Sequence, residues 1–199
     1  MSEKTLTFKC ACGGVQAKLQ GEPFAIFNCH CHSCVASARF IDAKHTDDKK
    51  GTSGIRDKGS GMALYKPNKV EFTTPITADT FAACKVGDKG KNGRSYTKCC
   101  HTQAIFCISK FIAFNSNCLF NDDGSLYQPE KPIQNTMKDF AFEPSEVPEP
   151  KSNMIPPMSL LLPMMGTMMN PFGPKVKDKN LFANLETAEV VPITWEDKK

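Results

Sequence analysis

The chain has 199 residues, 40% hydrophobic and 23% charged, with 25 basic and 21 acidic side chains and a formal net charge of +4. This is close to an ordinary globular composition and excludes a collagen, a coiled coil and a wholly disordered chain. The basic excess is too small for nucleic-acid binding to be expected, because that needs Lys and Arg clustered on one surface.

The chain opens Met1-Ser2-Glu3-Lys4-Thr5-Leu6-Thr7, without the apolar stretch of a secretory signal, so a reducing, cytoplasmic setting is expected. Leu6, Phe8 and Cys10 then alternate with polar residues, and Val15, Ala17 and Leu19 do the same. Alternation with period two predicts two half-buried strands. Between them, Cys10-Ala11-Cys12-Gly13-Gly14 supplies a turn, so a hairpin with two thiols near its tip is expected. Phe24 to Asn28 reads as a third strand running directly into Cys29-His30-Cys31-His32-Ser33-Cys34.

Residues 45–61 are polar and glycine-rich and read as a long loop or mobile flap, with His45 solvated. Short strand-like runs follow at 62–65, 70–73, 81–86, 104–108 and 111–114, with turn-rich segments at 87–93 and 121–125. Beyond about residue 128 prolines interrupt the chain, and one short helix is predicted over 158–170, with Pro163 at a kink or a start. Six of the nine methionines lie between 154 and 169, suited to filling irregular gaps over a sheet or to an adaptable groove. Residues 154–174 carry no charge, but five prolines there argue against a membrane span. The expected organisation is a zinc-binding domain over 1–128 and a Pro/Met-rich extension over 129–199 packed on it.

Ten cysteines are the unusual feature, and in a reducing compartment clustered thiols point to metal or redox chemistry rather than to disulfides. Cys29, Cys31 and Cys34 form C-x-C-x-x-C, three thiols that can face one zinc and leave its fourth position open, as in a catalytic site. His30 and His32 interleave them and are read as ligands, as groups supporting the thiolates, or as outward-facing side chains. Cys10 and Cys12 need two further donors for a closed structural site, and Cys99-Cys100, followed by His101, is the natural distant source. Cys84, Cys107 and Cys118 lie in apolar runs and read as core residues. Asp47-Asp48 and Asp122-Asp123 lie in turns and read as solvated. No Walker A loop, GxGxxG, GxSxG or HExxH occurs.

Cys10-Ala11-Cys12-Gly13-Gly14-Val15 followed by Asn28-Cys29-His30-Cys31-His32-Ser33-Cys34 resembles the CENP-V/GFA domain family, the glutathione-dependent formaldehyde-activating enzymes. The resemblance covers roughly residues 5–120 and implies a mainly β, β-tent fold of several coiled sheets carrying two zinc ions per chain. It further implies that Cys10 and Cys12 hold a structural zinc with distal cysteines. By the same resemblance, Cys29, Cys31 and Cys34 are expected to hold the ion with the open position. The implied chemistry is that of a carbon–sulfur lyase forming or cleaving S-hydroxymethylglutathione, with a small thiol such as glutathione as partner. Where the family has C-x-x-C-G-T, this chain reads Thr97-Lys98-Cys99-Cys100-His101-Thr102; Thr97 stands at the first cysteine, and Cys99 is the alternative donor. Val35 follows the knuckle where the family often has a basic residue, and Ala38 stands for Gly. A zinc-stabilised interaction module without catalysis is the other reading, with the Met-rich segment as its partner surface.

Overall fold

Thirteen strands and two α-helices are found in a computed structural model of the chain, which describes residues 4–87, 93–108, 110–152, 157–170, 172–175 and 186–192, and the side chains of all of these but 106–108. In chain order they are β1 (Thr5–Lys9), β2 (Gln16–Gln20), β3 (Ala25–Cys29), α1 (His32–Asp42), β4 (Ile55–Arg56), β5 (Gly59–Tyr65), β6 (Val70–Phe72) and β7 (Phe81–Val86). Then come β8 (Gly93–Thr97), β9 (Gln103–Ile108), β10 (Phe111–Asn115), β11 (Leu119–Phe120), β12 (Gln134–Thr136), α2 (Met158–Met169) and β13 (Glu189–Val191). The expectation of a mainly β chain with a short Met-rich helix near its end holds.

The strands form two sheets. The smaller has the order β11-β1-β2-β6; the larger runs β12-β3-β5-β10-β9-β8-β7-β13, with β4 paired to β5. The N-terminal alternation sets Leu6 opposite Leu19 and Phe8 opposite Ala17, all four fully buried. A slip of one residue would turn this face to solvent, so the pattern itself specifies the register. That face meets Tyr65, Ile105, Ile112 and Phe114 of the larger sheet, with the rings of Phe8 and Phe114 5.1 Å apart.

The central strands β5 and β10 are buried along their whole length, which explains their nearly continuous apolar runs. Tyr65 and Phe114 face the inter-sheet core, while Leu64, Phe111 and Ala113 face a second cluster that Leu160 of α2 covers. A third cluster joins Ile41 of α1 to Cys84, Tyr96 and Val191. The order is thus small sheet, large sheet, helices. β12 and β13 come from beyond residue 129 and pair in parallel with β3 and β7, at the two edges of the larger sheet.

Several expectations need correction. No helix was expected after the knuckle, yet α1 begins there and buries Cys34, Val35, Ala38 and Ile41. Strand β8 was also not anticipated. The 45–61 segment is tied down rather than a free flap. Thr52 N–H donates to Thr102 Oγ1 at 3.0 Å, and the Asn115 and Asn117 side chains each donate to the Ser53 carbonyl at 3.1 Å. Its last part forms β4 and enters β5. Cys84 and Cys118 are core residues as expected, their thiols pushed up to about 12 by burial. Most of the 87–93 turn and the Cys107 side chain lie outside the described residues. No helix among the described residues is long and apolar enough to cross a membrane.

Candidate metal centres

Seven cysteines gather into two groups. The first contains Cys10, Cys12, Cys99 and Cys100, and the second Cys29, Cys31 and Cys34; within each, all sulfurs lie within 4.8 Å of one another. The test of fit for an ion is the spacing of the sulfurs. A tetrahedral ion with metal–sulfur bonds of 2.3 Å places its sulfurs about 3.8 Å apart. In the first group Cys10–Cys12 is 3.6 Å, Cys10–Cys99 3.8 Å, Cys12–Cys99 3.2 Å and Cys99–Cys100 3.8 Å. In the second, Cys29–Cys31 is 3.4 Å. All of these far exceed a disulfide bond of about 2.05 Å. Both groups have the donor chemistry and the dimensions to hold a metal ion.

The first group is assembled from two turns remote in sequence. At the β1–β2 tip, Cys10 N–H donates to the Val15 carbonyl and Gly13 N–H to the Cys10 carbonyl. Gly13 has a φ of 77°, a left-handed conformation that glycine adopts at little cost. This curl lets Val15 N–H reach Cys10 Sγ at 3.2 Å. The other turn joins β8 to β9. Adjacent cysteines cannot both face one centre on regular backbone, and here the backbone is not regular. His101 has a φ of 58°, and the β8–β9 register shifts at Ser95/Tyr96. Both Cys99 and Cys100 therefore reach the group. Thr97 does not take a thiol's place; its buried hydroxyl lies 3.4 Å from Cys100 Sγ and accepts a bond from Thr102 N–H. The Thr102 hydroxyl, 3.1 Å from the same sulfur, accepts from Ala11 and Thr52 N–H and so ties both turns and the 45–61 segment together. A hydrogen bond from Cys10, helped by the two threonines, outweighs burial and holds Cys100 down at about 3, while Cys10 is driven up.

The second group is local. Cys29 ends β3, Cys31 caps α1 in an extended conformation and Cys34 lies in the first helical turn, its N–H bonded to the Cys31 carbonyl. A helix N-terminus carries partial positive charge and favours thiolate. Hydrogen bonds from the Cys29 and Cys34 thiols lower Cys31 to about 2, and the Cys29–Cys31 bond raises Cys29. Cys29 and Cys34 are buried and Cys31 is partly open, so any fourth ligand approaches past Cys31. Leu160 and Met164 of α2, with Met62 and Phe111, belong to the apolar cluster around these thiols.

The histidines lie elsewhere. His30 is buried, and its Nε2 donates to Asn135 Oδ1 at 2.9 Å. The Asn135 amide is oriented by its own donation to the Pro148 carbonyl at 3.1 Å, which leaves Oδ1 as the acceptor. Gly59 packs on this ring; a Cβ there would fall 2.7 Å from Nε2. His32 packs edge-on against Phe142, with centroids 4.4 Å apart. Neither joins the metal group, and no fourth His, Cys, Asp or Glu among the described residues closes it. His45, expected in solvent, has its Nε2 3.1 Å from the His101 carbonyl oxygen.

Sequence reasoning also missed Arg94, which is buried with Nη2 3.4 Å from Cys34 Sγ. Its only signal was position, in the stretch just before Cys99. Beside the knuckle lies a cavity of 310 Å³ lined by His30, Val35, Arg39, Lys58, Phe142 and Glu146 among others. Lys58 and Glu146 form an exposed ion pair at 2.5 Å there.

No family model matches the chain, and no curated protein matches it.

Proposed function

We propose that the protein holds two zinc ions and, at the site of the second, makes and breaks a carbon–sulfur bond between a small thiol and an aldehyde. The observation that carries this reading is the contrast between the two groups. Four thiols can close one centre, while three thiols with no fourth donor among the described residues leave the other open to a ligand. The first centre, held by Cys10, Cys12, Cys99 and Cys100, fastens the hairpin to the β8–β9 turn.

Cys29, Cys31 and Cys34 would hold the second ion, which when bound would supply Lewis acidity and a lowered thiol pKa. The chain supplies the rest. The α1 N-terminus favours negative charge at Cys31 and Cys34. Leu160 and Met164 exclude water from one side, and partly open Cys31 leaves an approach on the other. In the reaction, the thiol sulfur bonds to the carbonyl carbon while the sulfur's proton passes to the carbonyl oxygen, giving a hemithioacetal with no change of oxidation state. The resemblance of the two N-terminal cysteine motifs to the formaldehyde-activating family suggests glutathione and formaldehyde as the first pair to assay. The expected result is faster hemithioacetal exchange by NMR with zinc-loaded protein than with Cys31→Ser; equal rates would remove the catalytic reading.

A non-catalytic interaction module is the second reading. It is favoured by α2, whose outer face exposes Met158, Leu162, Met165 and Met169, with Phe172 just beyond. The described cavities, moreover, are lined by residues other than the three thiols.

A further inference from the structure

The four sulfurs of the first group differ in access. Cys10 and Cys100 are 1% and 3% exposed, whereas Cys12 and Cys99 lie open to solvent. The two open residues are also a close pair. Cys12 Sγ lies 3.2 Å from Cys99 Sγ, nearer than the 3.6 Å of Cys10–Cys12 or the 3.8 Å of Cys10–Cys99 and Cys99–Cys100. A disulfide holds its sulfurs about 2.05 Å apart, so an approach of about 1 Å joins them. Gly14 borders both sulfurs. A Cβ there would lie 3.4 Å from Cys12 Sγ and 3.5 Å from Cys99 Sγ, so the bare, exposed glycine leaves that side of the pair uncovered. The other described cysteines lack this combination. Cys29, Cys34, Cys84 and Cys118 are buried, and Cys31 is only partly open. Cysteine oxidation follows exposure and a second thiol poised to resolve the first product.

We infer that Cys12 and Cys99 are a hydroperoxide-reactive dithiol, oxidised to a disulfide at the outer edge of the four-thiol group while Cys10 and Cys100 stay reduced. One thiolate sulfur bonds to a peroxide oxygen as the O–O bond breaks, leaving a sulfenic acid. The departing oxygen takes a proton and leaves as water, or as an alcohol from an organic hydroperoxide. The second sulfur then bonds to the first as the S–O bond breaks, and that oxygen leaves as water. Two electrons pass from the two sulfurs to the two peroxide oxygens. The product joins the β1–β2 tip to the β8–β9 turn, the same two turns that a shared ion would join. An ion held by the group would lose two of its four donors and be released. The inference goes beyond the proposed function, because it concerns the structural group and takes no part in the carbon–sulfur chemistry.

The test treats the full wild-type chain, reduced and loaded with zinc, with limiting hydrogen peroxide. Remaining thiols are alkylated, and linkages are mapped by non-reducing tryptic digestion and mass spectrometry. Cleavage after Lys9, Lys18, Lys98 and Lys110 puts Cys10 and Cys12 on one peptide and Cys99 and Cys100 on another, and fragmentation assigns the sulfur within each. The expected first linkage is Cys12–Cys99, with the loss of two free thiols per chain and release of about one zinc to a chromogenic chelator. The oxidised chain stays folded, and its melting temperature no longer responds to chelator. A first linkage that includes Cys10, Cys100, Cys29, Cys31 or Cys34 overturns the inference, as does oxidation to sulfinic acid without a linkage. A chain that takes up no zinc at the four-thiol group yet forms Cys12–Cys99 upholds the inference, and the failure then lies in the two-zinc reading.

Discussion

Cys31 and Cys12 occupy similar positions in their motifs but have different structural duties. Cys31 belongs to a group drawn from six consecutive residues whose strand and helix are anchored by other contacts, including the buried side chains of α1. Cys31→Ser should abolish metal uptake at that centre and any activity while leaving far-UV circular dichroism intact; global unfolding would contradict the local character of the site. Cys12, although exposed, joins turns 87 residues apart, so Cys12→Ser should lower the melting temperature markedly and make it insensitive to chelator. An unchanged melting curve would remove its structural role. Thr102→Val keeps the shape but removes the acceptor for two backbone N–H groups, Ala11 and Thr52. A loss of roughly 2–3 kcal/mol is expected by chemical denaturation. The cysteine roles were legible because thiol spacing is a chemical signal in itself. Thr102, Arg94 and Asn135 were not, since a lone polar residue acquires its role only from partners brought close by the sheet.

Among the elements, the hairpin β1–β2 was readable because one buried face imposes strict alternation. Helix α1 was missed because the cysteine motif drew attention from its pattern. Cys34, Ala38 and Ile41 recur at helical spacing, and Val35 joins them on the buried side. The 45–61 segment misled through composition. Its glycines serve close approach rather than looseness: a Cβ on Gly51 would lie 2.5 Å from the Cys100 carbonyl oxygen and 2.6 Å from His101 backbone. Because those atoms are backbone and cannot rotate away, Gly51→Ala should destabilise the fold and weaken the four-thiol centre, which chelator-dependent thermal melts would show. β13 is held by Glu189, which bonds to Lys44 at 2.6 Å and to the Tyr96 hydroxyl. Burial raises the Glu189 carboxyl, but those two partners outweigh it and its pKa lies below the ordinary value. The contribution is therefore present above the ordinary carboxylate range and lost as pH falls through the folded value. Glu189→Gln should be less stable than wild type at neutral pH, by under about 1 kcal/mol for so exposed a pair, with the difference closing in acid. A gap that persists in acid would deny the ion pair its part.

For the whole molecule, period and spacing predicted the β class and the two cysteine groups but not the order of strands. Short two- and three-residue strands such as β4, β11 and β12 carry too few residues for any pattern, and they exist because a neighbouring edge offers backbone partners. The larger sheet recruits its outermost strands from the chain's second half, placing both parallel pairings at its edges. The two sheets share one core, while the helices seal the opposite face beside the three thiols.

The unequal sequence separations within the two groups set an order of assembly. Cys29, Cys31 and Cys34 can capture an ion once a few dozen residues have been made, because the loop they close is minimal. Cys10 and Cys12 must wait until Cys99 and Cys100 emerge, 87 residues or more later. Closing a long loop is slower and entropically dearer than closing a short one. During synthesis the three-thiol group is thus complete before the four-thiol group, and β9, β10, β12 and β13 of the larger sheet emerge only after both.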